Sequence, residues 1–287
     1  MKQVRIFSKK LIPILIFFLT FLPFILEDVI TPKRAYAINW KKYKIVQERG
    51  LFHAEKGNYE KAIYFLDQAI EIYKGDPGVF YDRGTVHMEL GNYKNALKDL
   101  KKALKLDSKM RNQYTFNNLG VVYQELGDYE NALDSYSKAI EIDSKDGLYF
   151  HNRGYINMQL ERWDDALKDY QTALIKYPQN KKGRGYLNCP ENKDLIHCHM
   201  NEYFYNDLGW INANLKNYNA AINYYDKSIE INPTEGLFYT NKGSTFYEMG
   251  KMKNACINYR KSSSLGFKEI DNYLSSPDGK WCKKIKL

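Results

Sequence analysis

The chain has 287 residues, 44% hydrophobic and 15% aromatic, which is enough apolar material for a core and excludes a disordered chain. Eighteen glycines and eight prolines are too few for a linker-dominated protein. The formal charge is +9, but residues 1–37 hold six basic and two acidic residues, leaving 37 against 32 over the rest. Nothing concentrates that charge into a stripe or arm except the short KWCKKIKL at 280–287, so a nucleic-acid partner is not expected.

Residues 1–37 begin basic (MKQVRIFSKK), continue apolar (LIPILIFFLTFLPFIL, 11–26) and close on Ala35-Tyr36-Ala37. Basic, apolar, then A-x-A is the order of a secretory signal. The apolar run of 16 residues is short for a span of about 20, and Pro13 and Pro23 disfavour a permanent helix. The stretch from Glu27 to Ala37 is long for a cleavage region, so an uncleaved anchor at 11–30 is the rival. Either reading exports the remainder of the chain, to a periplasm, an organellar lumen or the extracellular space, because the basic cluster stays cytoplasmic.

From residue 43 onward the chain repeats. One glycine anchors each unit: Gly50, Gly84, Gly120, Gly154, Gly209 and Gly243. The spacings are 34, 36, 34, 55 and 34, so an insertion falls in the fourth interval. Twelve residues after each glycine stands alanine: Ala62, Ala96, Ala132, Ala166, Ala221 and Ala255. Sixteen after come Leu66, Leu100, Tyr136, Tyr170, Tyr225 and Tyr259; nineteen after come Ala69, Ala103, Ala139, Ala173, Ser228 and Ser262. Offsets 12, 16 and 19 share one face of a helix. Two of the three are small, so a second helix can approach closely while the large one fills the groove. A glycine kept at a helix-propensity cost of about 1 kcal/mol implies a tight contact.

A turn separates the two helices of each unit. Asn58, Asn92, Asp128 and Asn217 stand where the second helix begins and are expected to cap it. Gly57, Gly91 and Gly127 just before them suit a helix end, and Pro178 and Pro233 come after the second helices of their units.

A 34-residue helix–turn–helix with these residues at these offsets resembles the tetratricopeptide repeat. The resemblance covers six units, about 43–76, 77–112, 113–146, 147–178, 202–235 and 236–267. It implies an all-α, right-handed α-solenoid, since no unit can bury its apolar face alone. The expected organisation is a signal or anchor at 1–37, units one to four within 38–178, an inserted loop at 179–201, units five and six within 202–267, and a capping segment and tail at 268–287.

In this family the first helices line a concave surface that takes partner segments. Two residues before each anchor glycine stand Glu48, Asp82, Asn118, Asn152, Asp207 and Asn241. Side-chain amides in a row suit an extended peptide, because an amide both donates and accepts. The alternative is that Asn at this place, common in the family, simply bonds within the helices. Tyr81, His151, Tyr155, Trp210 and Tyr247 are further groove candidates, with packing between units as the alternative for each. The family's clamp for a C-terminal carboxylate is not matched, because Gln47, Leu51, Asp82, Tyr114 and Asn118 occupy its places.

The inserted loop QNKKGRGYLNCPENKDLIHCHMN (179–201) carries Cys189, His197, Cys198 and His199. A local Cys189–Cys198 disulfide, free thiols and a metal site are all open. Adjacent side chains such as 197–199 rarely converge on one ion, so no metal or other cofactor is expected. Cys256 and Cys282 are the remaining pair, and four cysteines allow three pairings. GFKEIDNYL at 266–274 suggests a helix covering the last unit, with no element expected beyond it.

Phosphate-binding loops and the common hydrolase and kinase motifs are absent. His53, His87 and His151 lie on first helices, where packing accounts for them; Asp164 and Asp165 lie at a helix start, where the dipole does. The expected role is therefore a non-enzymatic exported scaffold for a protein or peptide. A membrane-anchored assembly factor is the first alternative, and an enzymatic or metal-binding loop the second. The oligomeric state is not legible.

Overall fold

The computed structural model describes residues 32–107, 113–176 and 202–285, with side chains from residue 39. Among these residues every regular element is helical. The chain divides into two compact units, Met1–Asn92 and Tyr93–Leu287.

The first unit holds α1 (Pro32–Glu55), α2 (Tyr59–Ile72) and α3 (Pro77–Glu89). α1 pairs with α2, and α2 packs on α3. The second unit holds α4 (Tyr93–Leu106), α5 (Gln113–Glu125), α6 (Tyr129–Ile142), α7 (Gly147–Gln159), α8 (Trp163–Lys176), α9 (Glu202–Asn214), α10 (Tyr218–Ile231), α11 (Gly236–Glu248) and α12 (Met252–Ser264). Then come α13 (Lys268–Ser275), a 3-10 turn at Pro277–Gly279 and α14 (Lys280–Lys283). Here α5 pairs with α6, α7 with α8, α9 with α10 and α11 with α12, and each pair packs on the next in chain order. This is the helix-pair stacking of an α-solenoid.

The interior obeys the offsets of the repeat. Ala62, Leu66 and Ala69 are fully buried, as are Ala132, Tyr136 and Ala139, and their counterparts in later repeats are buried too. The anchor glycines are covered by the large residue sixteen positions on. A β-carbon on Gly154 would lie 2.8 Å from Cδ2 of Tyr170, and one on Gly209 2.5 Å from Cε1 of Tyr225. No side chain fits there without moving a ring.

Each first helix ends on a left-handed residue that closes it. At 57–58 the Gly57 N–H bonds to the Ala54 carbonyl and the Asn58 N–H to that of His53, both at 2.9 Å, the double bond of a Schellman end. Gly57, Gly91, Gly127 and Gly250 hold φ near +70°, whereas Glu161 and Lys216 hold +56° and +60° at the same place.

The expected caps are only partly formed. Asn58 and Asn217 stand at the N-cap of α2 and α10 with no side-chain cap bond. Their ψ of 66° and 54° falls short of the extended region from which a cap reaches back. Asp128, at 72°, accepts from the Asn131 N–H at 3.3 Å, a long bond. The stronger caps lie at the first helices, where Asp76, Asp146 and Glu235 accept from Gly78, Leu148 and Leu237 at 2.8, 3.0 and 3.1 Å.

The two ends of the repeat series differ. Ile45 and Phe52 on α1 are 42% and 55% exposed. Their counterparts, five residues before and two after the later anchor glycines, are buried, among them Val79, Val86, Tyr149, Ile156, Phe204 and Ile211. At the far end α13 buries Ile270 against Phe246, Ala255 and Tyr259. The tail beyond 274 is more ordered than expected: Cys282 on α14 is disulfide-bonded to Cys256 on α12, with Cα atoms 5.2 Å apart. That bond explains why a short polar tail holds a defined place.

Among the described residues no helix is long and apolar enough to cross a membrane. The apolar run 11–26 and the anchor interval 11–30 lie outside those residues. Of the 1–37 segment, only its last residues are described, and they fall in the first turns of α1.

Candidate functional site

Four of the side chains two residues before the anchor glycines, Asp82, Asn152, Asp207 and Asn241, take part in bonds between repeats. In the first unit Gln47 Nε2 donates to Asp82 Oδ2 at 2.9 Å. In the second, Asn152 Nδ2 donates to Asn117 Oδ1 and Asn241 Nδ2 to Asn206 Oδ1, each at 2.9 Å and 35 positions apart. Asn117 and Asn206 are buried. Asn118 accepts from Asn117 at 3.4 Å. Part of the hydrogen-bonding capacity of the row is therefore spent within the scaffold. Asn152 and Asn241 each keep an amide oxygen and a second N–H beyond the bond named.

Gln47, Asn117 and Asn206 were not among the expected residues. All three precede their glycine by three positions, in the first, third and fifth repeats. Tyr81, His151 and Thr240 fill that place in the second, fourth and sixth. One residue before the glycine stands a basic side chain in the first repeat and in every even one, Arg49, Arg83, Arg153 and Lys242, against Leu119 and Leu208 in the third and fifth. Arg83 bonds Asp67 on the preceding helix at 2.5 Å, and Lys242 bonds Asp226 in the same way. Arg153 reaches Ser137 on the preceding helix at 3.1 Å and grips the buried Asp169 through Nε and Nη2 at 2.9 and 2.7 Å. The Asp169 bond is foremost in raising the Arg153 pKa, against the opposing effect of burial.

Asp207 differs from the other row members. Tyr170 on α8 donates its hydroxyl to Asp207 Oδ2 at 2.9 Å. Desolvation pushes the carboxyl up to about 6, with the bonds from Tyr170 and Asn206 acting in the opposite direction. Tyr203 and Trp210, each 42% exposed, stand four residues before and three after Asp207. That spacing places all three on one face of α9, a polar centre flanked by two accessible rings. Tyr203 also bonds Glu235 at 3.0 Å.

The other candidates divide. His151 packs against Tyr170 and Phe204, with ring centres 5.2 and 5.3 Å away, so it belongs to the packing of α7, α8 and α9. Tyr81 and Tyr155 are half-buried. Tyr247 is exposed and lies against Trp281 at 5.4 Å. His53 stacks on Phe65 at 5.3 Å, as a packing role requires. Among the described residues no group of His, Cys, Asp or Glu is placed to hold a metal. Cys189, His197, Cys198 and His199 lie in the 177–201 stretch, outside the described residues.

Comparison with known proteins gives one family. Models described as "Tetratricopeptide repeat" match residues 43–76, 78–110, 114–146, 147–180, 203–235 and 238–265. No curated protein matches the chain. Among solved structures, YrrB, described as a tetratricopeptide repeat protein with an unusual peptide-binding site, superposes with a TM-score of 0.58 at 20% identity, over 77% of this chain and 98% of its own. The pilF protein of Pseudomonas aeruginosa gives 0.59 at 19%, over 86% and 99%. MamA (residues 41 to the end) of Desulfovibrio magneticus RS-1 gives 0.55 at 19%, over 67% and 96%. At these identities the likeness is one of fold.

Proposed function

Because this chain belongs to the tetratricopeptide repeat family, we propose that it is a non-enzymatic scaffold that holds a partner protein or an extended segment on the face of its first helices. The observation that carries this reading is the α9 face, where two accessible rings flank a desolvated carboxyl. A burial-prone ring left in solvent on both sides of a polar anchor is the composition of a recognition surface. The described peptide-binding character of YrrB supports the class of partner. Asn152 and Asn241 extend the face along the second unit, with amide capacity that an extended backbone can use.

The scaffold works in an exported compartment. The basic, apolar, A-x-A order of residues 1–37 supports export, and the same segment kept uncleaved would fix the protein to the membrane as an assembly factor. N-terminal sequencing of the mature protein separates the two: a chain starting at Ile38 is cleaved, and an intact N-terminus in the membrane fraction is anchored.

Crosslinking of the full chain in its own compartment tests the recognition surface. Tyr203→Ser/Trp210→Ser is expected to lose captured partners, while Ile175→Ser, at a 69% exposed position on α8, keeps them. Equal capture by both variants would remove the α9 face from the reading.

A further inference from the structure

Asn241, Ser244 and Glu248 lie on one face of α11, spaced three and four residues apart. Where this face meets α12 and α13 there is an open cavity of about 410 Å³. Three tyrosine rings line it, from Tyr247, Tyr259 and Tyr273, together with the carboxylates of Glu248 and Glu269. Trp281 backs the wall, with its ring centre 5.4 Å from that of Tyr247 and 6.3 Å from that of Tyr259. The rings are tied in place. The Trp281 indole N–H donates to the Tyr273 hydroxyl at 3.2 Å, and the Tyr259 hydroxyl donates to Ser244 Oγ at 3.1 Å. The neighbouring Cys282 is covalently joined to Cys256.

Elsewhere in the second unit the chain covers several of its rings with its own cations. Lys101 sits over Tyr123, Lys138 over Phe116, Lys176 over Phe150 and Lys227 over Tyr205 and Tyr224, at 5.4 to 5.9 Å. Among the described residues no lysine or arginine sits over Tyr247, Tyr259, Tyr273 or Trp281, and none lines the cavity. Ring faces are electron-rich and attract a cation placed over them. Two carboxylates beside them add a net negative charge that nothing in the wall neutralises.

We propose that this cavity binds a lysine or arginine side chain presented by the partner protein. The cavity opens on the same helix face as Asn241, so a chain lying along the row would reach it with one basic residue. The inference rests on the scaffold reading for the source of the side chain, and on the cavity alone for its chemistry.

The test uses the full chain, labelled with nitrogen-15, and tracks the Trp281 indole N–H, assigned by Trp281→Phe. The probes are acetylated, amidated Gly-Gly-Lys-Gly-Gly, its arginine and norleucine counterparts, and tetramethylammonium. The lysine and arginine peptides are expected to shift the signal saturably, and the norleucine peptide at least tenfold more weakly. Glu248→Gln/Glu269→Gln changes two exposed side chains, so the fold is kept; it should weaken the basic peptides at least fivefold. The inference is overturned if norleucine binds equally, if the double variant binds within twofold of the parent, or if only tetramethylammonium saturates. If no peptide binds while partner capture through the α9 face continues, this inference falls and the scaffold reading stands.

Discussion

Asn152 donates its side-chain amide to the buried carbonyl of Asn117, one repeat earlier, at 2.9 Å. The bond joins two first helices through one buried and one half-buried side chain. Asn117→Ala would leave the Asn152 donor without that acceptor. The expected loss is about 1–3 kcal/mol, read from urea unfolding. A double-mutant cycle with Asn152→Ala should return a coupling of about 0.5–1.5 kcal/mol. A coupling near zero would mean that water replaces the bond at no cost.

Glu161 and Lys216 occupy the left-handed position that glycine fills in four other places. A side chain there costs about 1 kcal/mol through contact of its β-carbon with the backbone. Glu161→Gly and Lys216→Gly should each raise stability by about 0.5–1 kcal/mol, after the added chain entropy of glycine in the unfolded state. Gly127→Ala should lose about 1 kcal/mol for the converse reason. Thermal melts of the three variants check the signs, and destabilisation by both glycine substitutions would contradict the account.

Asp207 holds its proton more tightly folded than unfolded, with the carboxyl raised from 3.8 to about 6. Its contribution to stability is therefore full below the unfolded value and is lost as pH rises from about 4 to 6. Asp207→Asn should remove that part of the pH dependence and be more stable at pH 7, by about 1–3 kcal/mol. The amide can still accept from Tyr170. Urea midpoints at pH 4, 5, 6 and 7 for both proteins give the comparison. Parallel curves would show that Asp207 titrates at its ordinary value.

The Cys256–Cys282 bond closes a segment of 26 positions. A loop of this length restricts the unfolded chain by about 3.5 kcal/mol in the chain-entropy account. Cys282→Ser is expected to lose a large part of that and to expose the backbone of α13 and α14 to hydrogen exchange. Protection in the α5–α8 region should stay as it was, because repeats couple mainly to their neighbours.

The repeat itself was legible because its determinants are steric. A β-carbon on Gly154 or Gly209 would strike the ring sixteen residues on, so the glycine, the ring and the small residues must recur together. Side-chain hydrogen bonds left a weaker trace. Asn58 and Asn217 have the right identity for a cap but stand at a backbone angle from which the amide does not reach. Asn117 and Asn206 were overlooked because a position shared by alternate repeats disappears when all six are aligned as equals. Read two repeats at a time, with QERG, NNLG and NDLG against YDRG, HNRG and TNKG, the amide in the first of the four places is visible. The cavity beside Trp281 was hidden for another reason. Tyr247, Tyr259, Tyr273 and Trp281 come from four helices, and only the disulfide and the capping helix bring them together.

The covalent ring closed by Cys256 and Cys282 encloses most of α12, all of α13, the 3-10 turn and the start of α14. A protease that cuts once inside 257–281 would nick this protein without shortening it. The severed pieces would travel as one molecule until a reductant parted them. Cleavage inside the ring would thus be recorded by electrophoresis only after reduction, and a partner held beside Trp281 could outlast the first cut.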